Sequence, residues 1–257
     1  MLPLSLYIHI PWCIQKCPYC DFNSHKSPKL LPEIQYVQAL LEDLDCDLHA
    51  FPAERPITSI FIGGGTPSLL SERAYAILFE GLQQRLQFSK QIEITLEANP
   101  GSAEAARFKA YRMLGINRLS IGIQSFNKAH LKALGRVHDD TDAHRAILAA
   151  RDAGFDNINL DIMHGLPKQS VSEGMQDLET ALSYTPEHLS WYQLTLEPNT
   201  VFYKKPPMLP NESIMDTLEH TGFTYLAKHH YEKYEISAFS KQNKQAQHNL
   251  NYWQFGD

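Results

Sequence analysis

Long apolar runs are missing from this sequence: the longest stretches are a few residues, and Met1 to Ile10 alternates in polarity and carries His9. Neither a membrane-spanning helix nor a signal peptide is expected, and the cytosol is the expected compartment. Excess basic charge is missing too. With 23 Lys and Arg against 29 Asp and Glu the formal charge is -6, which gives no broad attraction for a polyphosphate backbone or an anionic membrane. Sequence-independent nucleic-acid binding is not expected. Glycine and proline are modest at 13 and 15 residues of 257, beside 43% apolar and 20% charged residues, so disorder, collagen-like repeats and fibrous folds are excluded. The length allows one large domain or two small ones, with a substantial core.

Cysteine is scarce as well, with four in all. Cytosolic thiols stay reduced, so the four are read for metal or catalytic use and not as disulfides. Cys46 stands alone in a helical pattern over Glu33 to Ala50 and reads as a small packing residue. Cys13, Cys17 and Cys20 share one short loop.

What is present is a βα alternation. Strands are expected at Ser5 to Ile10, Ser59 to Ile62, Gln91 to Leu96, Arg118 to Ile123, Asn157 to Ile162 and His188 to Leu194. Helices are expected between them, near Glu33 to Ala50, Glu72 to Leu86, Ala103 to Leu114, Thr141 to Ala153, Ser172 to Ser183 and Glu212 to His230. One helix per strand makes a parallel sheet with right-handed crossovers, and six units predict an α/β fold, a partial (βα)6 TIM-like barrel. Chemistry in such folds sits on the loops at the strand C-termini. Here those loops carry the cysteines, Gly63-Gly64-Gly65-Thr66-Pro67, Glu97-Ala98-Asn99-Pro100, Gln124-Ser125-Phe126, Asp161 to Pro167 and Thr195-Leu196-Glu197-Pro198-Asn199. Lys204-Lys205-Pro206-Pro207 with Pro210 reads as a surface connection before the last helix. Residues 1–240 are expected to form the barrel. Residues 241–257 read as the start of a segment leading to a C-terminal domain that this chain lacks.

The spacing Cys13-x3-Cys17-x2-Cys20 supplies three thiolates, which can hold a cubane cluster and leave one of its irons open for a substrate or cofactor. Pro11 and Pro18 restrict the loop, lowering the entropy lost when the ligands converge. The rival is a structural zinc, with His9 or His25 as fourth ligand.

This loop after a first strand resembles the motif of the radical S-adenosylmethionine (SAM) superfamily. The segments SLYIHIPWCIQKCPYCDFNS, FIGGGTPSLL, EANPG, IGIQSF, NLDIMHGLP, LSWYQLTLEPNT and HNLNYWQFGD together resemble its coproporphyrinogen dehydrogenase-like branch, and within that branch the heme chaperones. The resemblance runs from Ser5 to Asp257.

It implies a [4Fe-4S] cluster on Cys13, Cys17 and Cys20, with S-adenosylmethionine on the open iron. It also implies a cofactor pocket drawn from Tyr7, Tyr19, Gly64, Gly65, Thr66, Glu97, Gln124, Arg136, Asp161 and Thr195. Carboxylates suit ribose hydroxyls, Gln124 can donate and accept, and a guanidinium can neutralise a cofactor carboxylate. Read singly, the tyrosines are ordinary strand or loop aromatics, the glycines a tight turn, and the polar residues caps or rim ion pairs. The resemblance further implies heme as a ligand, with His248 of the His248-Asn249-Leu250-Asn251-Tyr252-Trp253 segment as its axial donor. Implied partners are acceptor hemoproteins, respiratory ones among them, and a reductant for the cluster. A homodimer and a link to porphyrin biosynthesis are also admitted.

The function expected from this resemblance is heme transfer. The alternative is an oxygen-independent coproporphyrinogen III oxidase, or another radical enzyme acting on a tetrapyrrole. Two features weigh against the oxidase: Phe22 stands where it has a fourth cysteine, and Met1 lies only a short way ahead of Cys13, without the oxidase's long N-terminal extension.

Overall fold

The computed structural model describes residues 2–101 and 105–257. Six parallel strands run in sequence order across one sheet: β1 Leu4–Ile10, β2 Ile57–Gly64, β3 Phe88–Ala98, β4 Arg118–Gln124, β5 Ile158–His164 and β6 His188–Gln193. Each pairs with the next, which is the partial (βα)6 barrel expected from the sequence. The sheet then reverses. After β6 the chain adds β7 Glu232–Lys233 and β8 Ala238–Ser240, with β8 antiparallel to both β6 and β7. This antiparallel edge is too short to show a period in the sequence and was not expected.

The helices are α1 Glu33–Ala50, α2 Glu72–Arg85, α3 Phe108–Met113, α4 Lys128–Ala133, α5 Asp140–Asp152, α6 Val171–Ser183, α7 Val201–Lys204, α8 Glu212–Lys228 and α9 Gln247–Trp253. Their starts are written in local chemistry. Ser71 accepts the Ala74 N–H, Asn211 that of Ile214, and Asp139 with Asp142 and Ser170 with Glu173 form reciprocal capping boxes. The helix expected over Ala103 to Leu114 begins outside the described residues, and its described part is α3. Short α4, α7 and α9 were not anticipated, because none is long enough to repeat an apolar face.

Alternation along the strands separates two layers. Ile8, Ile10, Ile60, Ile62, Ile94, Leu96, Ile121, Leu160, Ile162, Leu189 and Trp191 point outward into one core with Val37, Leu78, Leu82, Ile147, Leu178 and Leu218 of the helices. Their neighbours along the strands point inward and are polar. Ser59, Glu93, Thr95, Arg118, Ser120, Asn159 and His188 are all buried.

The segment 241–257, expected as a lead-out, folds back on the sheet. His248 and Asn251 of α9 are buried, the Gln247 N–H donates to Glu93 Oε1 at 2.8 Å, and Ser5 N–H donates to the Asp257 carbonyl at 2.8 Å. Among the described residues no helix is long and apolar enough to cross a membrane.

The loop after β4 is held from below by one carboxylate. Asp177 of α6 accepts the Ser125 hydroxyl at 2.6 Å and the Phe126 N–H at 2.7 Å. Burial pushes its pKa up to about 6 in spite of those two bonds. Asp177→Ala leaves two buried donors without a partner and should cost about 3 kcal/mol in chemical denaturation, with Asp177→Asn in between because it keeps one acceptor.

Candidate functional site

The cysteine loop is fastened to the barrel by its own backbone. His25 N–H donates to the Pro11 carbonyl at 2.7 Å and Ser27 N–H to the Cys13 carbonyl at 2.8 Å. Lys16 Nζ closes the loop from inside, reaching the carbonyls of Phe22 at 2.9 Å and Ser24 at 3.1 Å. The turn after β2 then docks on it, with Gly65 N–H donating to Ile10 O and Thr66 N–H to Trp12 O, both at 2.7 Å. A Cβ on Gly65 would lie 2.6 Å from the Trp12 carbonyl oxygen, and one on Gly64 would lie 2.5 Å from the His9 ring. The glycines are therefore demanded first by this docking, before any ligand is considered.

Cys13, Cys17 and Cys20 are free thiols, and all three line one cavity of about 430 Å³. That is within the range of small-molecule sites. The same cavity is lined by Tyr19, Gly64, Gly65, Thr66, Glu97, Gln124, Arg136, Asp161 and Thr195. Nine of the ten residues expected around the cofactor thus meet at one place. Tyr7 is not among the lining residues. It faces inward one step down β1, with its hydroxyl 2.9 Å from His9 Nδ1 and its ring near Phe61 and His248.

The donor set fits a cubane with an open vertex. His9, a rival fourth ligand for zinc, has Nε2 2.8 Å from the Asn23 carbonyl and Nδ1 beside Tyr7, so both nitrogens are engaged. His25 is exposed on a two-residue bridge with Trp12 and does not line the cavity. Among the described residues no three His, Cys, Asp or Glu side chains converge as a single ion would require. A cubane makes no such demand, since each thiolate takes a different iron.

The remaining walls carry charge. Arg136 Nη2 donates to Asn99 Oδ1 at 2.6 Å and to the Gly122 carbonyl at 2.8 Å, and Nη1 lies 3.6 Å from Cys17 Sγ. Its Nε is buried with no partner. Gln124, at φ 69, accepts the Tyr192 hydroxyl on Oε1 at 2.8 Å. Glu97 accepts the Gly64 N–H at 3.1 Å, and Asp161 accepts from Ser120 and Asn159 at 3.0 and 2.8 Å. Burial, and next the neighbouring Asp161 charge, push Glu97 up to about 8. Burial also raises Asp161, against its hydrogen bonds and the charge of Arg118.

Sequence reasoning missed Asn99, Arg118 and Tyr192. Asn99 ties three loops together, donating to Thr66 Oγ1 at 2.8 Å while accepting from Arg136. It stood in a loop already marked as chemical, beside Glu97. Nothing in the sequence separates the buried Arg118 from a surface arginine at a strand start.

His248 lies apart from this cavity. Its Nδ1 is 3.4 Å from Ser59 Oγ, its Nε2 is 3.3 Å from the Tyr252 hydroxyl, and its ring stacks on Phe61. It is 5% exposed, and burial lowers its pKa to about 4.

Because Glu97 binds its proton more tightly folded than unfolded, the native state holds more protons between about pH 4.5 and 8, and its contribution to stability falls as pH rises through that window. Glu97→Gln keeps the acceptor for Gly64 and removes this loss. Relative to wild type it should gain on the order of 4 kcal/mol between pH 5 and pH 8.5, measured by denaturant unfolding at both.

Comparison with known proteins accords with this geometry. The family model described as the radical SAM superfamily matches residues 7–181. A protein of Escherichia coli K12 named heme chaperone HemW is 53% identical over 255 residues, covering 99% of this chain and 67% of its own length. The protein of that name in Bacillus subtilis is 38% identical, covering 97% of this chain and 66% of its own. Among solved structures, coproporphyrinogen III oxidase (HemN) of E. coli, described as a radical SAM enzyme, superposes with a TM-score of 0.85 at 28% identity. That match covers 95% of this chain and 57% of the oxidase. The chain spans about two thirds of the length of these curated relatives. It belongs to the radical SAM superfamily and, within it, to the family of the heme chaperones HemW.

Proposed function

We propose that the protein binds heme and hands it to acceptor hemoproteins, and that its cavity holds a [4Fe-4S] cluster with S-adenosylmethionine at the open iron. One observation carries the cofactor reading: three free thiols, which among the described residues do not converge with other side chains as a single ion would require, face a cavity whose other walls offer carboxyls and a guanidinium. The heme reading rests on the names of the relatives.

When bound, the cluster supplies one-electron reduction of the adenosyl sulfonium. The protein's own residues bind and orient. Cys13, Cys17 and Cys20 hold the irons, and the Gly64-Gly65-Thr66 turn gives the methionine portion a backbone wall. Arg136 neutralises its carboxylate, while Glu97 and Asp161 accept from the ribose hydroxyls. Gln124 and Thr195 complete the rim, Tyr19 covers one side, and Tyr7 supports the loop through His9. A cationic ligand beside Glu97 and Asp161 favours their ionised forms, so its binding would release protons near neutral pH.

Heme ligation by His248 requires the ring to leave Ser59 and Phe61, with the exposed Tyr252 and Trp253 beside it as an apolar face for the macrocycle. Cytoplasmic location, an external reductant, a homodimer and a link to porphyrin biosynthesis belong to the same proposal.

The likeness to the oxidase favours a second reading, oxygen-independent oxidation of coproporphyrinogen III. Anaerobic incubation of the reconstituted protein with coproporphyrinogen III separates the two, because vinyl product at enzymatic turnover would replace the chaperone reading.

For the cluster, Cys17→Ala should lower iron and sulfide content by more than half and remove the broad absorbance of thiolate-ligated iron. Unchanged content would defeat the cofactor reading. For heme, His248→Ala should weaken binding about tenfold and move the Soret band. An unaltered spectrum and affinity would remove His248 as the ligand.

A further inference from the structure

Between the cavity and α9 lies a line of buried and half-buried polar side chains, of which only Asp161 has a role above. Asp161, on the cavity wall, receives Asn159 Nδ2 at 2.8 Å on Oδ1 and the Ser120 hydroxyl at 3.0 Å on Oδ2. Asn159 sits two residues back along β5, so it faces the same interior one layer deeper. Its register partner on β6 is His188, whose Nδ1 lies 2.6 Å from Asn159 Oδ1. An amide oxygen only accepts, so Nδ1 carries the proton and Nε2 is left as an acceptor. The Tyr234 hydroxyl, 2.7 Å from Nε2, donates its own hydrogen to it. Tyr234 Oη in turn accepts the Ala246 N–H at 3.2 Å and Asn249 Nδ2 at 3.3 Å, which lie at and just inside the start of α9.

Every donor in this line points toward Asp161. Aligned hydrogen bonds in a low-dielectric interior polarise one another, so the charge at one end is felt along the line. Burial, followed by the charge of Arg118, holds His188 well below its ordinary pKa, which favours the neutral imidazole, and the Asn159 amide oxygen sets its tautomer. The line thus has one direction and two ends: a carboxylate that faces the cavity, and the N-terminus of the helix that carries His248.

We propose that Asn159, His188 and Tyr234 form a polar relay through the barrel that couples a ligand held at Asp161 to the seating of the helix bearing His248. It rests on the reading of the cavity as a binding site. A ligand that draws the Asp161 carboxylate toward itself competes with Asn159 for that acceptor, and the change passes through His188 to the hydroxyl that holds Ala246 and Asn249. Asn159, His188 and Tyr234 are positioning residues in this scheme, since none touches the cavity ligand.

Hydrogen exchange at the amides of residues 247–253 tests the relay in wild type, Asp161→Asn, Tyr234→Phe and the double variant, each also followed by thermal unfolding. Tyr234→Phe retains the ring and its packing. Each single change should speed exchange in α9 about tenfold, and the double should exceed the larger single by less than about twofold, because both interrupt one line. Effects that multiply to about a hundredfold would overturn the proposal, as would an α9 that Asp161→Asn leaves untouched. Should Asp161→Asn unfold the barrel, Ser120→Ala is the weaker perturbation of the same carboxylate, with the same two outcomes.

In anaerobically reconstituted wild type, saturating S-adenosylmethionine should change α9 exchange, and Tyr234→Phe should lose that response while still binding. A response equal in both proteins, or binding with none in wild type, overturns the relay alone. Failure of S-adenosylmethionine to bind wild type at all brings down the cavity reading, and the relay with it.

Discussion

Everything at the C-terminal end of this barrel depends on how closely two backbones approach, the Trp12 carbonyl and the turn at Gly65. No side chain fits between them, not even a methyl group. That contact turns the cysteine loop over the barrel mouth instead of letting it project into solvent, and it aims three thiols at the space above Glu97, Gly122 and Asp161. Lys16 then draws the loop's far side inward through two carbonyls. A flexible loop would lose the entropy of convergence each time a cluster was assembled. This one is held in place by hydrogen bonds that involve no metal.

The second constraint is the interior. Barrels of this kind ordinarily fill the centre with branched apolar side chains. Here the inward positions are polar along almost every strand, and each buried group must find a partner or lose free energy. The solution is a network, in which Asn159 serves Ser120, Asp161, Ser190 and His188 at once. Such a network fixes the register of the strands, because a slip by one residue would turn the polar set into the helix layer and the isoleucines into the cavity. Glu97 and Asp161, both in the cavity wall, are raised even though each accepts hydrogen bonds. Their electrostatics favour a ligand that brings positive charge and hydroxyl donors together.

How much of this was legible in the sequence follows from the range of each signal. The six parallel strands and their long helices could be read because each repeats a period several times, and the cysteine spacing because it is local. The meeting of Glu97, Gln124, Arg136 and Asp161 could be read only through topology: Glu97, Gln124 and Arg136 lie near or beyond strand ends, Asp161 lies on the inner face of β5, and a parallel sheet brings them to one rim. Tyr7 lies on the inner face but below the cavity lining, since which layer an inward residue occupies depends on strand stagger, which no residue encodes alone. The antiparallel β7 and β8 were invisible because two or three residues cannot display alternation. Arg118 and His188 were missed for a different reason. Their roles exist only through contacts between strands that are far apart in the chain.

The same contrast of scale explains the placement of α9. A helix of seven residues has little stability of its own and forms where tertiary contacts hold it. Its anchors are few: the Gln247 N–H on Glu93, His248 over Phe61, and the Tyr234 hydroxyl at its start. Tyr252, beside His248, and Trp253 are more than half exposed. In the proposed heme reading, this helix would exchange its contacts to Ser59 and Phe61 for the macrocycle. The imidazole inside it is neutral and so chemically able to ligate a metal once uncovered. The isoleucines between sheet and helices have no comparable freedom. The outer layer of the barrel is held by apolar packing, its inner layer by hydrogen bonds, and the short helix at its end by contacts to both the sheet and the loop carrying Tyr234.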